Sequence, residues 1–153
     1  DRTPVTVTVT GRVIQADGRS KAYRPLPIAE RRIAVRTGLD AYAAGDYFLA
    51  HELLEPAWMG TADPNERALI QGLIKLAAAD VHSVRGNPRG VVRNLEGALE
   101  RIRLAANAAD PASEPSAVPD DLVLGALLAD VEARLSRARR GDRTDPITLV
   151  RGR

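Results

Sequence analysis

The chain of 153 residues has no cysteine and few aromatic side chains: one Trp, one Phe and three Tyr. The first absence excludes disulfides, thiol catalysis and thiolate-ligated zinc together. The second, 3% aromatics within a hydrophobic content of 44%, leaves the core to Leu, Ile, Val and Ala. Such a core favours closely packed helices over a thick β-sandwich, so the expected class is all-α. Lysine is also scarce. Only Lys21 and Lys75 occur, so 22 basic residues less these 2 leaves 20 arginines. A skew of this kind follows coding composition more readily than a nucleic-acid partner, and a net charge of +2 does not require one. No apolar run approaches the roughly 18 residues that suggest a membrane span, and no secretory leader is recognisable. The expectation is a soluble cytoplasmic protein with no membrane partner. A chain of this length forms one core, since about 150 residues bury ~68–70% of their unfolded surface.

Residues 1–27 differ in pattern from the remainder of the chain. Val5, Val7 and Val9 alternate with threonines, a period of two in β-branched residues, and Asp17-Gly18 is a turn signal. Pro25 and Pro27 then block a helix. This segment reads as an extended arm. From residue 28 to 140 the period is helical and its punctuation marks five helices. The first runs from about Ala29 to Ala44 and stops at Gly45. The second opens at Asp46 as N-cap and reaches Met59 before Gly60. Asp63 caps the third, with Pro64 in its first turn and Glu66 at the capping-box position; it runs to Arg85. Asn87 and Pro88 open a fourth, to about Asn107. After a Pro/Ser/Ala linker at 110–119, Pro119 and Asp120 open the fifth. Its Leu124, Leu127, Leu128, Val131 and Leu135 draw an apolar stripe. Residues 141–153 form a polar tail in which Ile147–Val150 could make a short strand and pair with the N-terminal arm, which itself could pair within the chain or between chains.

Gly45 to Trp58 and Gly86 to Glu100 share a Gly, an Asp/Asn cap, Leu-Glu at the tenth and eleventh positions and a following Ala. Stacked helical hairpins produce such a repeat, and so does chance similarity between amphipathic helices. At about 100° per residue, the apolar arc of the second helix holds Tyr47, Leu49, Ala50, Leu53, Leu54 and Ala57. His51, Glu55 and Trp58 edge it, and Glu52 faces elsewhere. The His51-Glu52 dipeptide resembles half of a zincin motif, but Glu55 stands at the i+4 position of the second histidine. Pro56 cannot donate to the Glu52 carbonyl and should loosen the last turn. On the third helix Gln71, Lys75 and His82 share a line beside the apolar face. Asp80 lies within that face and must be paired with an arginine or hydrogen-bonded.

These segments together resemble the DUF309 family. The residues that carry the resemblance are Gly45, Phe48, Ala50, His51, Glu52, Glu55 and Trp58, then Glu66, Arg67, Gln71, Gly72, Leu73, Leu76 and Ala77, then His82, Arg85, Gly86, Asn87 and Gly90. It covers roughly residues 29–107 and implies an all-α fold of helical hairpins; it brings no activity with it.

Three functions compete. A binding or interaction module would use a groove between the second and third helices lined by Tyr47, His51, Glu52, Glu55, Trp58, Gln71 and His82, with a protein or a second copy as partner. A metal-dependent hydrolase would hold a divalent ion with His51, Glu55 and His82, a two-His, one-carboxylate set suited to Zn, Fe or Mn. The competing reading of the same residues is a hydrogen-bond network with no cofactor. Nucleic-acid binding through a phosphate-contacting stripe of Arg85, Arg89 and Arg93 is third. A solvated face, paired with Glu96 and Glu100 on the same helix, explains that stripe more simply. The module is the preferred reading, with His51 expected to meet Gln71 or His82.

Overall fold

The computed structural model describes residues 6–7, 12–14, 20–108 and 116–149. The Asp-Gly turn at 16–19 and most of the 110–119 linker lie outside them. The described pieces of the arm are three short strands, β1 (Thr6–Val7), β2 (Arg12–Ile14) and β3 (Ser20–Ala22), paired antiparallel in the order β1-β2-β3. Five helices come after them: α1 (Ile28–Ala43), α2 (Tyr47–Met59), α3 (Pro64–Val84), α4 (Pro88–Ala108) and α5 (Leu124–Arg139). Each packs on the next in sequence. The domain is all-α, as the composition predicts. Among the described residues no helix is long and apolar enough to cross a membrane.

The helix ends follow the local chemistry. Gly45, Gly86 and Gly141 all have positive φ, the left-handed region where a Cβ is penalised. At each, two successive amides turn back to close the preceding helix: Gly45 N to Tyr42 O and Asp46 N to Ala41 O, Gly86 N to Ser83 O and Asn87 N to His82 O, Gly141 N to Ala138 O and Asp142 N to Arg137 O. The next helix is then capped from the adjacent side chain, Asp46 Oδ1 accepting from Leu49 N and Asn87 Oδ1 from Gly90 N. The internal similarity therefore corresponds to a repeated hairpin. Leu54 and Leu95 are both buried, and so are Ala57 and Ala98.

Three expectations are corrected. The fifth helix begins at Leu124 and not at Pro119, because Ala117, Val118 and Leu122 are drawn into the core ahead of it. Glu66, read as the return half of a capping box, is buried and accepts from Arg31 Nε at 2.7 Å and Ala117 N at 2.8 Å. It thereby fastens α1 and the end of the linker to α3. The tail forms no strand over its described part. Instead Leu149 is buried, Ile147 N donates to the Tyr42 hydroxyl, and Thr144 Oγ1 accepts from Arg134 Nε.

Asp80 has the arginine it needs. Arg134 of α5, wholly buried, gives it two bonds, Nη1 to Oδ2 at 3.1 Å and Nη2 to Oδ1 at 2.7 Å. Tyr42 of α1 donates its hydroxyl to Oδ2. Burial, then the Asp80 charge and hydrogen bond, raise the Tyr42 pKa far above the ordinary phenol value. Burial pulls Arg134 down, but the Asp80 bond and charge, with Tyr42, outweigh it and raise it overall.

Arg134→Met should lower the unfolding free energy by about 3–5 kcal/mol, because it strands a buried carboxylate. An Asp80→Leu/Arg134→Met double variant should recover most of that loss in urea denaturation. A phenol with a raised folded-state pKa keeps its proton while the unfolded chain loses it, so stability falls as pH rises above 10. Relative to Tyr42→Phe, the native protein should lose stability faster between about pH 10 and 11.5, read from chemical denaturation at each pH.

Candidate functional site

The line of Gln71, Lys75 and His82 on α3 faces α4, not α2. Gln71 Oε1 accepts from Arg101 Nε at 2.8 Å. A Cβ on Gly97 would meet the Lys75 side chain, and one on Gly90 would run into the His82 ring. Each step forward on α3 is matched by an equal step back on α4, an antiparallel register in which two glycines make room for two bulky polar side chains. His82 Nδ1 lies 3.0 Å from Asn87 Nδ2. Since the Asn87 oxygen is taken by Gly90 N, the amide group donates and the imidazole accepts there. His82, Gly86, Asn87 and Gly90 are thus parts of one hairpin closure.

No hydrogen bond joins His51 to Gln71 or His82 among the described residues, which corrects the expected meeting across α2 and α3. The physical reason is that α3 is central and has two polar borders, and α4 takes the one that carries this line. His51 instead places Nδ1 3.4 Å from Glu52 Oε1, so Glu52 does not point away. Ligand-type atoms of His51, Glu52 and Glu55 all lie within 4.8 Å of one another. Glu52 stands where His82 was expected in the ligand set. His51 and Glu55 are half-buried and Glu52 is exposed. The helix continues through Pro56 to Met59. The proline has no N–H for the Glu52 carbonyl, so that oxygen is left to another donor on the same turn.

The remaining motif residues are held structurally. Tyr47 packs edge-on against Tyr42 with ring centroids 5.1 Å apart. Burial and then the Asp80 charge raise its pKa, against the opposing Arg134 charge. Trp58 packs against the core with the Arg67 guanidinium 4.7 Å from its ring centroid. Arg67 also donates to the carbonyls of Trp58 and Thr61. Burial lowers Arg67 to about 10, with Tyr23 opposing, and it stays cationic at neutral pH. Of the apolar arc of α2, Ala50, Leu54 and Ala57 are buried and Tyr47 and Leu53 pack against the core, whereas Leu49 is 43% exposed; Phe48, outside the arc, is 61% exposed.

Arg85, Arg89 and Arg93 are all exposed. Arg89 and Arg93 line a groove of about 500 Å³ with Val92, Glu96 and Arg139; Arg85 is at the α3 C-cap. The same-helix pairing expected for them is not found among the described residues. Glu96 binds Arg139 of α5 at 2.8 Å, and Glu100 binds Arg101.

Residues 35–94, from the middle of α1 into α4, match the family model described as Domain of unknown function (DUF309). No curated protein and no solved structure matches the chain.

The packing of His82 over Gly90 gives a direct test. Gly90→Ala should destabilise by about 1–3 kcal/mol, because the added methyl displaces the imidazole. In a His82→Ala background the same change should be neutral or stabilising by up to about 1 kcal/mol, the helix preference of Ala over Gly. Thermal or urea unfolding of the four proteins in this cycle reads the difference. Equal effects in both backgrounds would show that the ring and the glycine do not depend on each other.

Proposed function

We propose that this chain, which carries the DUF309 domain over residues 35–94, is a binding module whose ligand is a divalent cation held by His51, Glu52 and Glu55 on α2. The observation that supports this reading is the convergence of those three side chains within 4.8 Å. Gln71, His82, Asn87, Trp58, Arg67 and Glu66 are spent on contacts within the bundle, which leaves the α2 set as the acidic part of the signature open to a ligand. His51 and Glu55 are one turn apart, so both side chains can reach one ion, and Glu52 adds a third ligand from the adjoining position. Tetrahedral zinc ligands lie about 3.4 Å apart at Zn–N and Zn–O lengths near 2.1 Å. Small rotations about the glutamate side chains close the remaining distance. One imidazole and two carboxylates suit Zn, Mn or Fe.

A binding role is favoured over hydrolysis by solvent exposure. The His51 and Glu52 side chains are 34% and 53% exposed. An ion held there keeps several waters and acts in a high dielectric, where activation of one water is weak. Exposed Phe48 and Leu49 on the preceding turn give the ion an apolar border, a composition suited to contact with another molecule.

Calorimetric titration of untagged protein with zinc and with manganese chloride tests this. One ion per chain should bind, with binding lost in His51→Ala and Glu55→Gln and retained in His82→Ala. His51→Ala should change stability by no more than about 0.5 kcal/mol, since its partner is exposed. Absence of binding by both ions, or binding that needs His82 and not Glu55, would overturn the reading.

A further inference from the structure

A second cavity lies between α1 and residues 116–120. Its volume is about 480 Å³ and its lining includes Arg32, Ile33 and Arg36 of α1 with Val118, Pro119 and Asp120. The volume is that of a small-molecule site, for which about 300–1,000 Å³ is usual. Three features set its chemistry. Arg36 Nη1 is buried and has no hydrogen-bond partner; its other terminal nitrogen lies 3.5 Å from Asp121 Oδ1, a loose ion pair. A buried guanidinium N–H without an acceptor is costly, and an oxyanion in the cavity would supply the acceptor. Arg32, also in the wall, makes no hydrogen bond or ion pair among the described residues.

The second feature is apolar. Ile33 is 64% exposed although it is a large aliphatic side chain in a helix, and it shares the cavity wall with Ala117, Val118 and Pro119. The third concerns the hydroxyls. Thr37 already donates to the Ile33 or Ala34 carbonyl, and Ser116 donates to Glu66 while accepting from Val118 N. They are not free donors for a large polar ligand. The donors left over belong to the two arginines, which outnumber the one carboxylate of the wall, Asp120, and the remaining lining side chains, Ile33, Ala117, Val118 and Pro119, are apolar.

We infer that this cavity is a binding site for a small organic carboxylate with an apolar body, its carboxylate on Arg36 and Arg32 and its body against Ile33, Val118 and Pro119. A guanidinium fork matches the two carboxylate oxygens in geometry and charge. Segment 116–118 is held in place by the Glu66 contact to Ala117 N, so the wall opposite α1 is built before any ligand arrives. This site is separate from the α2 cluster and stands or falls independently of it.

The probe is isovalerate, titrated into the full chain and followed by amide chemical shifts. Saturable shifts are expected at residues 32–37 and 116–120. The neutral isostere isovaleramide should bind about tenfold more weakly, from loss of the charge-assisted bonds, and inorganic phosphate, with no apolar body, about tenfold more weakly as well. Arg36→Met and Ile33→Ser should each weaken isovalerate by about tenfold or more. Arg32→Met, at an exposed position, provides a second variant should Arg36→Met fail to fold, and should weaken it too. Unsaturable shifts, equal binding of the amide or of phosphate, or isovalerate affinity unchanged in Arg32→Met would each overturn the assignment.

Discussion

The buried carboxylate of Asp80 is the constraint on which the rest of the bundle depends. A lone ionised acid at 1% exposure would be too costly to hold, so it must collect donors from elements remote in sequence. It takes two N–H groups from α5 and one O–H from α1. Arg134 then uses its Nε on Thr144, and the Tyr42 oxygen accepts the amide of Ile147. One acid thus sets the positions of α1, α3, α5 and the tail. Desolvation offsets much of the Coulomb gain in such a pair, so its main effect is on register. Aliphatic side chains alone would let helices of this kind slide or rotate against one another. A fixed bidentate fork admits one arrangement.

Much of this fold is legible in the sequence where the cause is local. Positive-φ glycines, Asp and Asn caps and a proline in the first turn act within four residues, and the ends of α1, α3 and α5 and the starts of α2, α3 and α4 fall where those residues place them. The need of Asp80 for an arginine is also legible, because the helical period puts it among leucines. Which arginine is harder. The signal was present in α5, where Arg134 lies seven residues after Leu127 and three after Val131, both in the apolar stripe; an arginine on that seam must be buried with an acid. Glu66 shows the opposite failure. Its capping-box spacing is a true local pattern, but a buried carboxylate takes the strongest donors within reach, and Arg31 and Ala117 N come from segments 35 and 51 residues away.

The candidate site was half legible for a geometric reason. A helical wheel locates the borders between the apolar and polar faces of α3, yet a central helix has two such borders and short connections on both sides. The line of Gln71, Lys75 and His82 could meet either neighbour. The deciding residues are on α4. Gly90 and Gly97 are seven apart, hence on one face, and glycines within a helix weaken it unless something bulky needs the space. Taken with the polar line on α3, they identify the pairing and leave α2 without those partners.

That reassignment changes what the signature residues mean. His82, Gly86, Asn87 and Gly90 form one device: a left-handed glycine turns the chain, an asparagine caps the next helix, its amide group engages the histidine, and a glycine admits the ring. Each part requires a particular side chain for reasons of shape and hydrogen bonding alone, so a chain can carry this motif with no ligand attached to it. His51, Glu52 and Glu55 have no comparable structural reason. Their contacts with one another are exposed and contribute little to the fold, and two carboxylates beside each other repel unless a cation neutralises them. An electronegative turn that includes an imidazole, on a helix already weakened by proline, is costly to keep for stability and well matched to a cation.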